Sequence, residues 1–157
     1  QGSIVENDII LSVVNCYLQN NSVNQLERCW LDEKNSPSNE YVRLHKISVK
    51  PLDLDNSLKV TIHTPLKIEF EYWNLKKEMS LNFSFVLYTL EEVCVFNSVS
   101  KSQLQPVGLI RGTCYIPADF LNDGIYKVRL LIVENTSVQL IEIVNLLSFE
   151  VHEEIRQ

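Results

Sequence analysis

The sequence predicts an all-β chain folded as an antiparallel β-sandwich, and three observations carry that prediction. From Tyr41 onward, apolar and polar residues alternate with a period of two. The alternating runs recur every 8 to 12 residues or so, with turn residues between them. No long helical segment interrupts this pattern, so the apolar faces of the strands must bury one another.

The elements follow in order. Residues 4–20 differ from the rest: Ile9, Ile10, Val13, Val14, Tyr17 and Leu18 recur at three- and four-residue spacing, which makes one apolar stripe on a short amphipathic helix. Asn7 or Asp8 could start it. Residues 20–25 and 32–40 are polar, the latter broken by Pro37, and together with 26–31 they read as a linker. The expected organisation is therefore an N-terminal helix and linker over 1–40 and a β-sandwich over 41–157.

Residues 42–49 make the first strand. In the next, Leu66, Ile68, Phe70 and Tyr72 alternate with Lys67, Glu69, Glu71 and Trp73. Leu81, Phe83, Phe85 and Leu87 then alternate with Asn82, Ser84, Val86 and Tyr88, and Glu91-Glu92 turns the chain into residues 93–99. A polar loop over 98–106 leads to a strand over 108–116. Pro117 fixes its own φ and biases Ile116 towards extended geometry, so the strand should end there. Asn122-Asp123-Gly124 is turn chemistry, since glycine tolerates positive φ and Asn or Asp can bond back to the backbone. Strands over 125–134 and 139–152 complete the chain.

Composition limits the function. With 157 residues, 45% hydrophobic content and ordinary charge, the chain can bury one core and is not disordered. A formal net charge of −6 argues against nucleic acid, whose binders neutralise phosphates with Lys and Arg. No apolar run approaches the ~20 residues of a membrane-spanning helix, and no basic-then-apolar leader opens the sequence. Cys16, Cys29, Cys94 and Cys114 show no C-x-x-C spacing and read as buried thiols of a reducing compartment.

No catalytic constellation emerges. His45, His63 and His152 are far apart in sequence, and none sits in a metal-binding pattern. Asp53-x-Asp55 reads as a polar turn with weak calcium binding as an outside option, and Glu69 and Glu71 share one strand face. The expected chemistry is binding without bond-breaking, with no catalytic residue, metal or cofactor.

Several residues are familiar in their order: Trp30, Pro37, Val42-Arg43-Leu44, Ile47 and Val49; then Pro65, Leu66, Ile68, Glu71 and Tyr72. Gly108, Cys114, Ile116 and Pro117 follow, then Leu121, Asn122, Gly124 and Tyr126, and finally Leu147, Phe149 and Val151. This series resembles the C-terminal domain of Wzt proteins, the nucleotide-binding subunits of ABC transporters that export O-antigen polysaccharide in Gram-negative bacteria. The resemblance runs from Trp30 to His152 and implies an immunoglobulin-like sandwich that binds the exported glycan, in many members its modified non-reducing end. It also implies a homodimer formed by exchange of C-terminal strands, with O-antigen polysaccharide and the transporter's membrane subunit as partners. Its implied place is cytoplasmic, at the inner face of the inner membrane. Residues 4–20 would connect to an ATPase domain, and because no G-x-x-x-x-G-K-[ST] loop is present, this chain should not hydrolyse ATP.

A sugar-binding face needs flat rings for pyranose faces and planar polar groups for hydroxyls. If Phe83 and Phe85 point inward, Asn82, Ser84, Val86 and Tyr88 point out; if Tyr126, Val128 and Leu130 point inward, Lys127, Arg129, Leu131 and Val133 point out. These two strands neighbour one another in the usual sandwich order, so their outer faces form one surface. Tyr88, Arg129, Asn82 and Ser84 are the first candidates for carbohydrate contact. Trp73, on the outer face of the other sheet beside Tyr115, Arg111, Glu69 and Glu71, is a second-rank candidate; the plainer reading of that group is a cross-strand cluster in which Arg111 pairs with a glutamate. The competing function is a structural or dimerisation sandwich without glycan affinity. A glycan-modifying enzyme is a third class, disfavoured by the missing constellation.

Overall fold

The structure is a computed structural model that describes residues 26–52 and 59–153. The helix expected over 4–20 and the Asp53-x-Asp55 turn lie outside the described residues. Within them the chain is all β: β1 (Glu27–Cys29), β2 (Val42–Pro51), β3 (Leu66–Asn74), β4 (Met79–Thr89), β5 (Cys94–Val99), β6 (Gln103–Gln105), β7 (Gly108–Ile116), β8 (Gly124–Glu134) and β9 (Val138–Val151). One sheet has the order β1-β2-β3-β7; the other has β5-β4-β8-β9, with β6 also pairing β4. Every ladder between named strands is antiparallel.

The period-two alternation becomes the core. Along β3, Leu66, Ile68, Phe70 and Tyr72 are each at most 1% exposed, and they face Leu81, Phe85 and Leu87 of β4, Val128, Leu130 and Ile132 of β8, and Leu147 and Phe149 of β9. Phe70 is the centre of an aromatic cluster, edge-to-face with Phe83 at 4.6 Å and Phe85 at 5.0 Å. Gly112 is Phe70's register partner on β7, and its missing side chain is what admits the ring: a Cβ there would lie 2.0 Å from Phe70 Cζ.

Two short strands were hidden within stretches that read as linker and loop. β1 pairs Glu27 with Ser48 and Cys29 with Lys46, and β6 covers Met79–Leu81. Asn74, 1% exposed at the end of β3, donates its amide to the carbonyls of Gln105 (3.2 Å) and Pro106 (3.1 Å), fixing the exit of β6.

The corner before β8 has a specific lock. Gly124 takes φ +145°, and Tyr126, two residues later and buried, donates its hydroxyl to the Asn122 carbonyl at 2.8 Å. This is the tyrosine corner of sandwich folds, a side chain bonding back to the turn that delivers its strand. Asp119, at φ 60°, donates its backbone N–H to the Ile62 carbonyl, and its carboxylate meets His63 Nδ1.

The cysteines depart from the sequence expectation. Cys29 is disulfide-bonded. Cys94 is a free thiol exposed on edge strand β5, and Cys114 is free and half-buried, its thiol pushed up by burial against a weaker opposing hydrogen bond with Ser98.

Candidate functional site

The outer face of the β5-β4-β8-β9 sheet is organised by its register. Asn82, Ser84, Val86 and Tyr88 on β4 stand opposite Val133, Leu131, Arg129 and Lys127 on β8. Four of the five candidate residues thus share one surface: Tyr88, Arg129, Asn82 and Ser84. Ser84 is 8% exposed, and its hydroxyl bonds the Asn97 side-chain oxygen on β5; Asn82 is 4% exposed.

A break in the next ladder opens a cleft on this face. Val128 pairs with Leu147, but Leu130 pairs with Ile143, so Arg129 alone opposes Val144, Asn145 and Leu146. Such bulges bend a strand and re-aim side chains. Here Leu146 turns wholly into the core, while Val144 and Asn145, the latter at φ 51°, stand exposed. A cleft of about 230 Å³ results, lined by Tyr88, Glu92, Lys127, Arg129, Val144 and Asn145. The bulge is anchored from the other sheet by Arg28, which donates to the Leu146 carbonyl at 3.3 Å, and Asn39 donates similarly to Leu140, 2.6 Å away, at the second irregularity of β9.

Within the cleft the Arg129 guanidinium lies 4.5 Å from the Tyr88 ring centroid, and its Nη1 is 3.3 Å from a Glu142 carboxylate oxygen. The guanidinium occupies one face of the Tyr88 ring, so that face is closed to a sugar. Burial pushes the Tyr88 phenol up; the Arg129 charge opposes this, and Glu142, Cys94 and Glu92 reinforce it. Three buried polar atoms have no hydrogen-bond partner among the described residues: Tyr88 Oη, Arg129 Nε and Asn82 Oδ1. All three belong to this face. Lys127 has no ion-pair partner among the described residues, which leaves its ammonium uncommitted. Chemically the cleft offers the donors of Tyr88, Arg129 and Lys127, the acceptor carboxylate of Glu92 and the amide of Asn145, which can do both.

Trp73 sits on the opposite sheet, away from this cleft. Its ring contacts His45 edge-on at 6.0 Å and lies under the Arg43 guanidinium at 5.7 Å. Next to it, Arg111 pairs with Glu71 at 2.8 Å and Glu69 at 3.9 Å, and Lys67 and Lys50 reach Glu69 at 3.4 and 3.9 Å. Burial pushes the Glu69 carboxyl up, but Lys67, Lys50 and Arg111 together outweigh it and hold the group below its usual range. That face is largely self-neutralised, and Tyr115 stands exposed beside it.

Sequence reasoning did not single out Glu92, Lys127, Val144 or Asn145. The signal for the last two is present: alternation fails in Val144-Asn145-Leu146-Leu147, where two apolar residues follow one another next to an asparagine, a residue that tolerates left-handed geometry. Among the described residues, no three His, Cys, Asp or Glu side chains gather as metal ligands.

No protein-family model matches the chain, and no curated protein matches it by sequence. Solved structures do. The crystal structure of the C-terminal domain of Wzt superposes with a TM-score of 0.63 at 12% identity, over 76% of this chain and 77% of that one. The two share a fold. A protein from Bordetella pertussis assigned as ApaA aligns over 76% of this chain and all of its own at 13% identity, with a TM-score of 0.40. At these identities the likeness to Wzt concerns fold alone, and the function must be argued from the cleft.

Proposed function

We propose that this chain is a non-catalytic glycan-recognition domain of immunoglobulin-like type, serving an ABC exporter of O-antigen polysaccharide. The observation that carries the reading is the set of unpartnered buried polar atoms on Tyr88, Arg129 and Asn82, all on one sheet face and two of them on residues lining the cleft. A buried donor or acceptor without a partner costs about 1–3 kcal/mol, which a ligand's hydroxyls can recover on binding. The shared fold with the Wzt C-terminal domain supports the same choice. In this reading the domain holds polysaccharide while a separate ATPase domain drives transport.

The test is protein NMR during titration with O-polysaccharide from the source organism, beside a Tyr88→Ala/Arg129→Ala variant. Saturable shifts around β4 and β8 that vanish in the folded variant support the reading. Absence of shifts in a folded sample overturns it.

One observation favours a second reading. Val99, Val138 and Val144 are each at least half exposed on strands of this sheet, as a protein interface would have them. A strand-exchanged homodimer would pair β9 with another chain's β8 and remake the Arg28 and Asn39 anchors across the boundary. Light scattering that shows a dimer, with Tyr88 and Arg129 protected and no glycan affinity, selects this alternative.

A further inference from the structure

We infer that the cleft takes an acidic sugar, a unit that presents hydroxyls together with one carboxylate-type negative charge. This rests on the reading of the cleft as a ligand site. The two cations of the cleft are in different states. Arg129 is committed on both sides, to the Tyr88 ring and to Glu142, and its buried Nε has no partner among the described residues. A single N–H of that kind suits a neutral hydroxyl. Lys127, the register partner of Tyr88, lies two residues along β8 on the same face and forms no ion pair among the described residues, although the Glu92 carboxylate lines the same cleft. An uncommitted ammonium in a chain of net charge −6 is a place where an anion gains and a neutral group does not.

Two further features set the charge and size of the ligand. Glu92 also lines the cleft, so a second negative charge on the ligand would meet repulsion. Arg129 and Lys127 are about 7 Å apart along the strand, at two residues of ~3.4 Å each. A lone carboxylate cannot span that separation, whereas one sugar unit presents a hydroxyl at one end and its acid at the other. The Tyr88 hydroxyl, on the residue opposite Lys127 whose ring carries the Arg129 guanidinium, supplies a further hydrogen bond.

The experiment is an amide-shift titration of the isotope-labelled 157-residue chain with glucuronate, glucose and acetate, repeated on Lys127→Gln and Lys127→Arg. The expected result is saturable binding of glucuronate at residues around Tyr88, Lys127 and Asn145. Glucose and acetate should each bind at least tenfold more weakly. Lys127→Gln should remove the preference over glucose, Lys127→Arg should keep it, and added salt should weaken glucuronate while leaving glucose unaffected. Equal affinity for glucose and glucuronate, unchanged in Lys127→Gln, overturns the acidic-sugar assignment while leaving a glycan site. Acetate binding as well as glucuronate also overturns it, since the site then reads only an anion. No shifts with any of the three, in a folded sample, counts against the ligand site itself and the assignment with it.

Discussion

Replacing Gly112 with alanine tests the packing of the core directly. A Cβ at this position would lie 2.0 Å from Phe70 Cζ and 2.2 Å from Cε1. Comfortable carbon contacts fall near 3.5–4.0 Å, so the ring must retreat by roughly 1.5 Å. It has little freedom to do so: Phe70 is fully buried, with Phe83 and Phe85 edge-on and Tyr72 stacked at 5.9 Å. Overpacking of this kind costs about 1–3 kcal/mol. Disturbing an aromatic pair adds about 0.5–1.5 kcal/mol. Against these stands the conformational advantage of alanine over glycine, about 0.5–1 kcal/mol. The net expectation is a loss of about 2–3 kcal/mol, or a fall in Tm of roughly 5–10 °C for a domain of this size. Thermal melts by circular dichroism and urea titration of G112A beside the parent measure it. A Phe70→Leu background should absorb most of the cost of the same substitution, because the smaller side chain vacates the space. A G112A protein that melts within about a degree of the parent would refute the packing argument.

Three further outcomes are expected. Tyr126→Phe removes the hydroxyl that closes the corner on Asn122 and should cost about 1 kcal/mol by urea unfolding, with the ring's burial unchanged; an unaltered midpoint would show that the corner is held without it. Glu69 is held below the ordinary carboxylate range, so the folded state binds its proton more weakly than the unfolded state does. Its contribution is therefore present above the usual pKa of about 4.3 and fades as pH falls through the lower folded value; the stability difference between parent and Glu69→Gln should be flat near neutrality and shrink below about pH 4.5. Finally, a thiol reagent at neutral pH should modify the exposed Cys94 well before the half-buried Cys114, and mass mapping that finds the reverse order would contradict the placement of the two strands.

Much of the framework was legible because strand periodicity is a short-range property. The inward rows on β3, β4 and β8 follow from alternation, and so does the shared outer face of β4 and β8. Strands β1 and β6 were not legible, since three residues are too few to show a period and both depend on a longer neighbour for their hydrogen bonds. Phe83 fits its row but is only half-buried, at the margin beside Ile110 and Gly112. The face carrying Tyr88 and Arg129 was read from the sequence, yet its cleft was not. A cleft made by three residues opposing one depends on the pairing of β8 with β9, a relation between segments and not a property of either. The stacking of Arg129 on Tyr88 was hidden for the same reason: it joins side chains 41 positions apart.

The bulge in β9 has a consequence for how such a domain diversifies. Val128–Leu147 on one side and Leu130–Ile143 on the other hold the strands in register, so the residues between them are released from the ladder. Leu146 serves the core and Arg28 secures its carbonyl, which leaves Val144 and Asn145 answerable to almost nothing inside the protein. Substitutions at Val144, and at Asn145 those that keep a residue tolerant of its left-handed φ of 51°, can alter the rim of the cleft while the folding free energy stays nearly constant. A lineage carrying this irregularity can thus explore new ligands one residue at a time, without first acquiring a more stable scaffold to tolerate the search.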